Sequence, residues 1–247
     1  MIRRFAKLFD HSVVRPDATR EMVLRAAEIA ARLETATLTV QPHYVRAAAD
    51  ALRGTAVLVG SVVGFPHGNE TPAMKEYQAY EVLDLGAREI DMVMNIPALK
   101  NAEQEVFMRD IQGVVTAGAA HDSRVKVITE NCFLTVDEKR RACDWIADTG
   151  ADFVKTSTAY ADGGATLDDV RLMYHTVNGR CLVKAAGGVR SLDDILAFLK
   201  AGARRFGSTR TDQFVAAFEA LSPERRHEFD QFLQSLVMMK SGAPSNS

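Results

Sequence analysis

Two lysines occupy positions where lysines are rarely found. Ala151-Asp152-Phe153-Val154-Lys155-Thr156-Ser157-Thr158-Ala159-Tyr160 reads as a buried strand with Lys155 in its middle, because aromatic and β-branched residues flank the amine on both sides. Leu182-Val183-Lys184-Ala185-Ala186-Gly187-Gly188 repeats the arrangement. An ammonium is almost never fully buried without a partner or a purpose. Two such strands, each ending in small residues, point to one pocket holding two amines. Desolvation and mutual repulsion would lower the pKa of one amine and leave a neutral nucleophile near pH 7. A neutral lysine attacks carbonyl carbons, so the predicted chemistry is that of a Schiff base.

The rest of the chain has to place these amines. Its 247 residues are 47% hydrophobic and 25% charged, the balance of a soluble globular protein with one substantial core or two small ones. The net charge of -2 gives no basic excess for nucleic acid or an anionic membrane surface. Cys132, Cys143 and Cys181 are too few and too scattered for a disulfide framework or a zinc site, so a reducing, cytoplasmic compartment is the simpler reading. The basic start, Met1 to Lys7, lacks an apolar signal core. No run approaches the ~18 apolar residues of a membrane span.

Strand and helix patterns alternate about eight times. A helix is expected from Asp17 to about Leu33, with Asp17 or Thr19 as its cap, then a strand over Ala36–Val40 and a helix opened by Pro42. Ala56 to Phe65 is a long β-branched run, Thr71 to Leu85 a helix closed by Gly86, and Glu89 to Asn95 a strand with an acid inside it. A long helix over Asn101–Ala120, a strand over Val125–Glu130 and a helix over Val136–Asp148 lead to the Lys155 strand. Helices over Leu167–Thr176 and Leu192–Lys200 flank the Lys184 strand, and a last strand covers Arg205–Thr209. Helices over about Asp212–Ala220 and Pro223–Met238 finish the pattern. Continuous apolar strands belong to buried parallel sheets, and eight βα repeats make a (β/α)8 TIM barrel of the α/β class. An open doubly wound sheet is disfavoured because no Gly-x-Gly-x-x-Gly turn follows the first strand. One barrel domain over residues 1–240 is expected, with a flexible tail over 241–247.

In such a barrel the strand ends and the loops after them face one pocket. The unusual polar residues fall there or inside strands: Asp10, Asp91, Asn95, Lys126, Glu130, Lys155 and Lys184. Lys126 and Glu130 read equally well as a structural ion pair, and Asp10 as a turn or cap aspartate. Asp91 lies in an otherwise apolar strand, which favours function. Gly163-Gly164, Gly187-Gly188 and Gly207-Ser208-Thr209 follow three successive strands. Glycines free backbone N–H groups and allow close approach, and loops after strands seven and eight form the usual phosphate site of this barrel, with Arg190 and Arg210 as added charge. The expected substrate set is therefore these residues with Thr156, Asn95 and Lys126. His11 and His67 lie at strand ends, where a satisfied structural histidine is the simpler reading. No His/Asp/Glu spacing resembles a metal site.

Several stretches together carry a resemblance. They are Asp10-His11-Ser12-Val13-Val14-Arg15-Pro16-Asp17-Ala18-Thr19, Val40-Gln41-Pro42-His43-Tyr44-Val45, Val63-Gly64-Phe65-Pro66-His67-Gly68, Glu89-Ile90-Asp91-Met92-Val93-Met94-Asn95, Lys155-Thr156-Ser157-Thr158, Gly163-Gly164-Ala165-Thr166 and Val183-Lys184-Ala185-Ala186-Gly187-Gly188. From about Phe9 to about Thr209 the chain resembles the class I deoxyribose-phosphate aldolases of the DeoC/LacD group. The resemblance implies the barrel fold, no metal or other cofactor, and reversible cleavage of 2-deoxy-D-ribose 5-phosphate to acetaldehyde and glyceraldehyde 3-phosphate. It implies Lys155 as the Schiff-base lysine, Lys184 as the lysine that perturbs it and shares in proton transfer, Asp91 as a proton relay acting with water, and Asp10 as the group orienting Lys184. The implied partners are a sugar phosphate and aldehydes; a homodimer or higher homo-oligomer stays open.

Four positions depart from the family pattern. Thr39-Val40-Gln41-Pro42 replaces a cysteine before an asparagine-proline pair. Ala159-Tyr160 stands where glycine and phenylalanine are usual, Thr209-Arg210 where a serine pair holds the phosphate, and the C-terminal tail lacks a tyrosine. The same imine chemistry on a different or unphosphorylated sugar is the alternative. A non-catalytic barrel that binds a sugar phosphate is a third reading, and it leaves two buried lysines and an acid without a use.

Overall fold

The alternating pattern becomes eight parallel strands and their helices in the computed structural model, which describes residues 1–241, with side chains through Gln234. A short helix α1 (Ile2–Ala6) precedes β1 (Phe9–Val13), α2 (Arg20–Leu33), β2 (Thr37–Val40), α3 (Val45–Ala51), β3 (Leu58–Val63) and α4 (Pro72–Asp84). Next come β4 (Glu89–Val93), α5 (Ile96–Lys100), α6 (Gln104–Ala120), β5 (Arg124–Ile128), α7 (Val136–Asp148), β6 (Phe153–Lys155) and α8 (Leu167–Val177). The chain ends with β7 (Leu182–Ala186), α9 (Leu192–Ala201), β8 (Ala203–Ser208), α10 (Thr211–Glu219) and α11 (Pro223–Ser241). The strands pair in sequence order and β8 closes on β1, so the (β/α)8 barrel expected from the sequence is the fold. Ser241 belongs to α11, and the rest of the expected tail lies outside the described residues.

Local chemistry sets the helix starts. Thr19, not Asp17, caps α2 by accepting from the Met22 amide, while Asp17 accepts two hydrogen bonds from the Arg15 guanidinium. Thr135 and Ser191 form capping boxes with Glu138 and Asp194, each satisfying two amides that a helix start leaves open. The strand carrying Lys155 is shorter than expected. It ends at Lys155, because the Thr156 hydroxyl turns to the β7 backbone, donating to Ala186 O at 3.2 Å and accepting from Ala186 N at 3.1 Å.

Two short helices were not foreseen. α5 starts because Asn95 caps it, accepting from Ala98 N. α1 owes its place to tertiary packing: the Phe5 ring stacks on Phe218 at 4.2 Å and meets Phe9 and Phe229 edge-on. This aromatic cluster ties α1 to β1, α10 and α11, and Phe5, Phe9, Phe218 and Phe229 are all fully buried. A Phe5→Ala variant is expected to lose about 3–5 kcal/mol of stability, seen as a lower urea midpoint with an unchanged denaturant slope.

Candidate active site

Strand register brings the charged residues to one level of the barrel. Lys155 pairs with Lys184, Lys184 with Arg205, and Asp91 with Lys126 across neighbouring strands. Like charges directly opposite are destabilising, so this row stands only because acids reach it from β1 and β4. These five groups are buried, as are Asp10 and Glu89, the further acids from β1 and β4.

Six of them form a closed ring of alternating sign. Arg205 donates to Asp10 Oδ1 at 2.5 Å, and Asp10 Oδ2 holds Lys184 Nζ at 2.5 Å. Lys184 reaches Asp91 Oδ2 at 2.6 Å, and Asp91 Oδ1 accepts from Lys126 at 2.9 Å. Lys126 binds Glu89 Oε2 at 2.5 Å, which returns to Arg205 at 3.1 Å. The ring balances three acids against three bases. Lys155 hangs from it by one contact, 2.7 Å to Asp91 Oδ2, and is the unbalanced cation.

The protonation states follow from this arrangement. Burial lowers the Lys155 pKa to about 8, with Asp91 opposing the shift and Lys184 and Lys126 reinforcing it. Burial pushes the carboxyls of Asp91 and Asp10 upward, but the surrounding cations outweigh it and hold both below the usual carboxylate range. Lys126 and Arg205 go the other way: their acids overcome desolvation and raise both. Desolvation is therefore the larger cause at Lys155, and like-charge repulsion the smaller one.

Lys155 also opens onto a cleft of ≈ 270 Å³. Ser12, Val14 and Arg15 at the end of β1, Thr158 to Tyr160 after β6, Gly187 to Val189 after β7 and Gly207 to Arg210 at the end of β8 form its walls. The expected residues Gly187, Gly188, Gly207, Ser208, Thr209 and Arg210 thus come together beside Lys155. Gly187 and Gly188 have φ of 71° and 75°, a left-handed turn that a side chain would strain.

Other expected residues lie elsewhere. Lys126 is fully buried within the ring, and its partners are Glu89, Asp91 and Asp10 rather than Glu130. Glu130 instead accepts from the Thr158 amide and hydroxyl, fixing the loop after β6. Thr156 is buried, with its hydroxyl committed to Ala186. Asn95 is a helix cap. Gly163 and Gly164 lie behind the cleft: a Cβ at Gly163 would meet the Cys132 side chain, and one at Gly164 would lie 2.7 Å from the Gly187 carbonyl carbon. Their role is to let the loop after β6 press against the 187–188 turn. The Arg190 amide donates to Asp194. His11 is buried against the Thr211 hydroxyl, the satisfied histidine expected.

Glu89, Arg205 and Arg15 were not anticipated. Glu89 and Arg205 lie two residues before Asp91 and Gly207, on the same strand faces, and that period-two spacing is their signal. Arg15 lines the cleft with its guanidinium steadied by Asp17. Among the described residues no cluster of three or more His, Cys, Asp or Glu is placed to hold a metal ion, and no helix is long and apolar enough to cross a membrane.

A parallel barrel with a deprotonatable lysine at the C-terminal ends of its strands is the architecture of an imine-forming aldolase. The pattern of the DeoC/LacD family aldolases matches residues 4–209, and the chain belongs to that family. A deoxyribose-phosphate aldolase of Streptococcus gordonii is 46% identical over 203 residues, covering 82% of this chain and 91% of its own. One from Listeria welshimeri is 41% identical over 219 residues, covering 89% and 98%. The solved structure of the tetrameric deoxyribose phosphate aldolase from Aeropyrum pernix superposes with a TM-score of 0.82 at 27% identity, covering 90% of this chain and 94% of its own.

The ring makes opposite predictions for two of its members. Lys184→Met removes a cation near Lys155, so the midpoint of pH-dependent borohydride trapping of a small aldehyde should move above pH 8. Asp91→Asn removes the anion that stabilises the ammonium, so the same midpoint should move below pH 8.

Proposed function

We propose that this protein is a class I aldolase that reversibly cleaves 2-deoxy-D-ribose 5-phosphate to acetaldehyde and glyceraldehyde 3-phosphate. The observation that carries the reading is Lys155, the surplus cation of the charge network, opening onto the cleft. In its neutral form Lys155 attacks the C1 aldehyde of the open-chain sugar, and water is lost to give a protonated imine. Asp91, acting through a water and together with Lys184, takes the C3 hydroxyl proton. The C2–C3 bond breaks, its electron pair flows toward the imine, and glyceraldehyde 3-phosphate (C3 to C5 of the sugar) leaves. The enamine on Lys155 is then protonated at carbon and hydrolysed to acetaldehyde. Asp10, held by Arg205, keeps Lys184 directed at Asp91. The relay contributes on the order of 10²–10⁴-fold.

The phosphate belongs at the wall built by Gly187-Gly188 and Gly207 to Arg210, with Arg15 beside it. Amides of glycine turns and guanidinium groups suit a phosphate. A homo-oligomer and a cytoplasmic location complete the reading. The three cysteines are unpaired, which suits a reducing compartment, and the A. pernix relative is a tetramer.

Borohydride with substrate should add the mass of the reduced adduct at Lys155, and Lys155→Ala should bring both trapping and acetaldehyde release to background. Retained activity in that variant would end the proposal. Arg210→Ala should raise KM for the phosphorylated sugar by about ten- to a hundredfold while leaving unphosphorylated deoxyribose unaffected. Equal turnover of both sugars by the unmodified protein would favour the unphosphorylated substrate.

A further inference from the structure

Two cavities meet at the mouth of the barrel. Beside the lysine pocket lies a second one of ≈ 390 Å³, bounded by Gln41, Pro42 and His43 after β2 and by Phe65 and Pro66 after β3. Val14, Val62, Phe65 and Tyr160 line both cavities. Val62 belongs to a barrel strand and is buried, whereas Tyr160 sits in the loop after β6 and is 42% exposed. Val14 and Phe65 also lie just beyond their strands, but both are partly buried, and Tyr160 is the most exposed residue of the shared wall.

Tyr160 is held in place by specific contacts. Its hydroxyl donates to Val14 O at 3.0 Å, fastening the β6 loop to the β1 loop. Its ring stands edge-on to Phe65, with centroids 5.3 Å apart. The Tyr160 amide donates to the Thr158 hydroxyl, and Thr158 is in turn bound by Glu130. Ala159 adopts φ 68°, a left-handed conformation that a residue with a Cβ seldom adopts. The surrounding contacts hold that conformation, and it turns the Tyr160 ring across the opening.

We propose that Tyr160 is a specificity-determining partition, which confines ligands to the lysine pocket and, when displaced, opens an apolar chamber for the aliphatic or aromatic tail of an aldehyde acceptor. This rests on the aldolase reading above. The chamber lies on the β2 and β3 side of the mouth, whereas the proposed phosphate wall is built from the ends of β7 and β8. A tail placed in it therefore needs no phosphate. In the synthetic direction, C2 of the acetaldehyde enamine on Lys155 bonds to the acceptor's carbonyl carbon. The carbonyl electron pair moves to oxygen, which takes a proton, and water releases the product from Lys155. With hexanal as acceptor the product is 3-hydroxyoctanal.

The test compares kcat/KM for hexanal with that for glyceraldehyde 3-phosphate, with acetaldehyde as donor. Tyr160→Ala should raise the ratio by about tenfold or more, and Tyr160→Leu replaces it if the alanine variant does not fold. Tyr160→Phe, which keeps the ring, should give a smaller change. Adding His43→Trp to Tyr160→Ala refills the chamber and should return the ratio to its starting value. Saturation-transfer NMR with 4-phenylbutan-1-ol, which forms no imine, should show binding to Tyr160→Ala and its loss in the double variant. An unchanged ratio and no gain in binding, or a gain that survives His43→Trp, would overturn the partition. Absence of borohydride trapping in the unmodified protein would overturn the aldolase reading instead, and the alcohol binding would still decide the partition.

Discussion

Everything at this site depends on one carboxylate oxygen. Asp91 Oδ2 accepts from both Lys155 and Lys184, so two ammoniums that repel each other share a single anion. Burying an ion costs several kcal/mol unless partners compensate it, and compensation here is unequal. Lys184 has two carboxylates and Lys126 three, whereas Lys155 has only one. The proton least costly to release is therefore the one on Lys155. The ring thus singles out Lys155 by charge count as well as by desolvation. Neutralising Lys155 leaves a network that is balanced without it.

That network also explains why the site needs a closed barrel. The ring draws Asp10 from β1, Glu89 and Asp91 from β4, and its cations from β5, β7 and β8. An open sheet would leave β1 and β8 at opposite edges, and the Arg205–Asp10 contact crosses that seam. Closure brings Asp10 within reach of Lys184, and Asp10 then anchors the lysine that repels Lys155.

Much of this was legible in the sequence, for physical reasons. The barrel could be read because buried parallel strands are continuous apolar runs and because threonine, serine and glycine mark helix ends. Lys155, Lys184 and Asp91 could be read because a charge inside such a run is anomalous. Glu89 and Arg205 went unread because each stands first in its strand as the sequence pattern delimits it, where a charge is ordinary; only their spacing from Asp91 and Gly207 set them on the inner face. Lys126 was given to the substrate because a strand shows which face a residue takes but not its depth in the barrel. Gly163 and Gly164 were given to the phosphate for a related reason: a glycine that admits a ligand and one that admits a neighbouring backbone look alike in sequence, and here Gly164 meets Gly187. α1 carries no strong local signal and depends on rings from α10 and α11, distant in the chain.

At Ala159 and Tyr160 the mouth of the barrel is built independently of the charged ring beneath it. The side-chain ion pairs of the ring all come from strand residues, and the loop after β6 touches it through the Thr156 amide on the Lys184 carbonyl. That loop is fixed separately, by Glu130 on Thr158 and by the Tyr160 hydroxyl on Val14. Substitution there changes the wall seen by the far end of a ligand without disturbing the charges that set the Lys155 pKa. The charge environment of Lys155 and the outer wall of its cleft are thereby held by two sets of contacts, one inside the barrel and one across its rim.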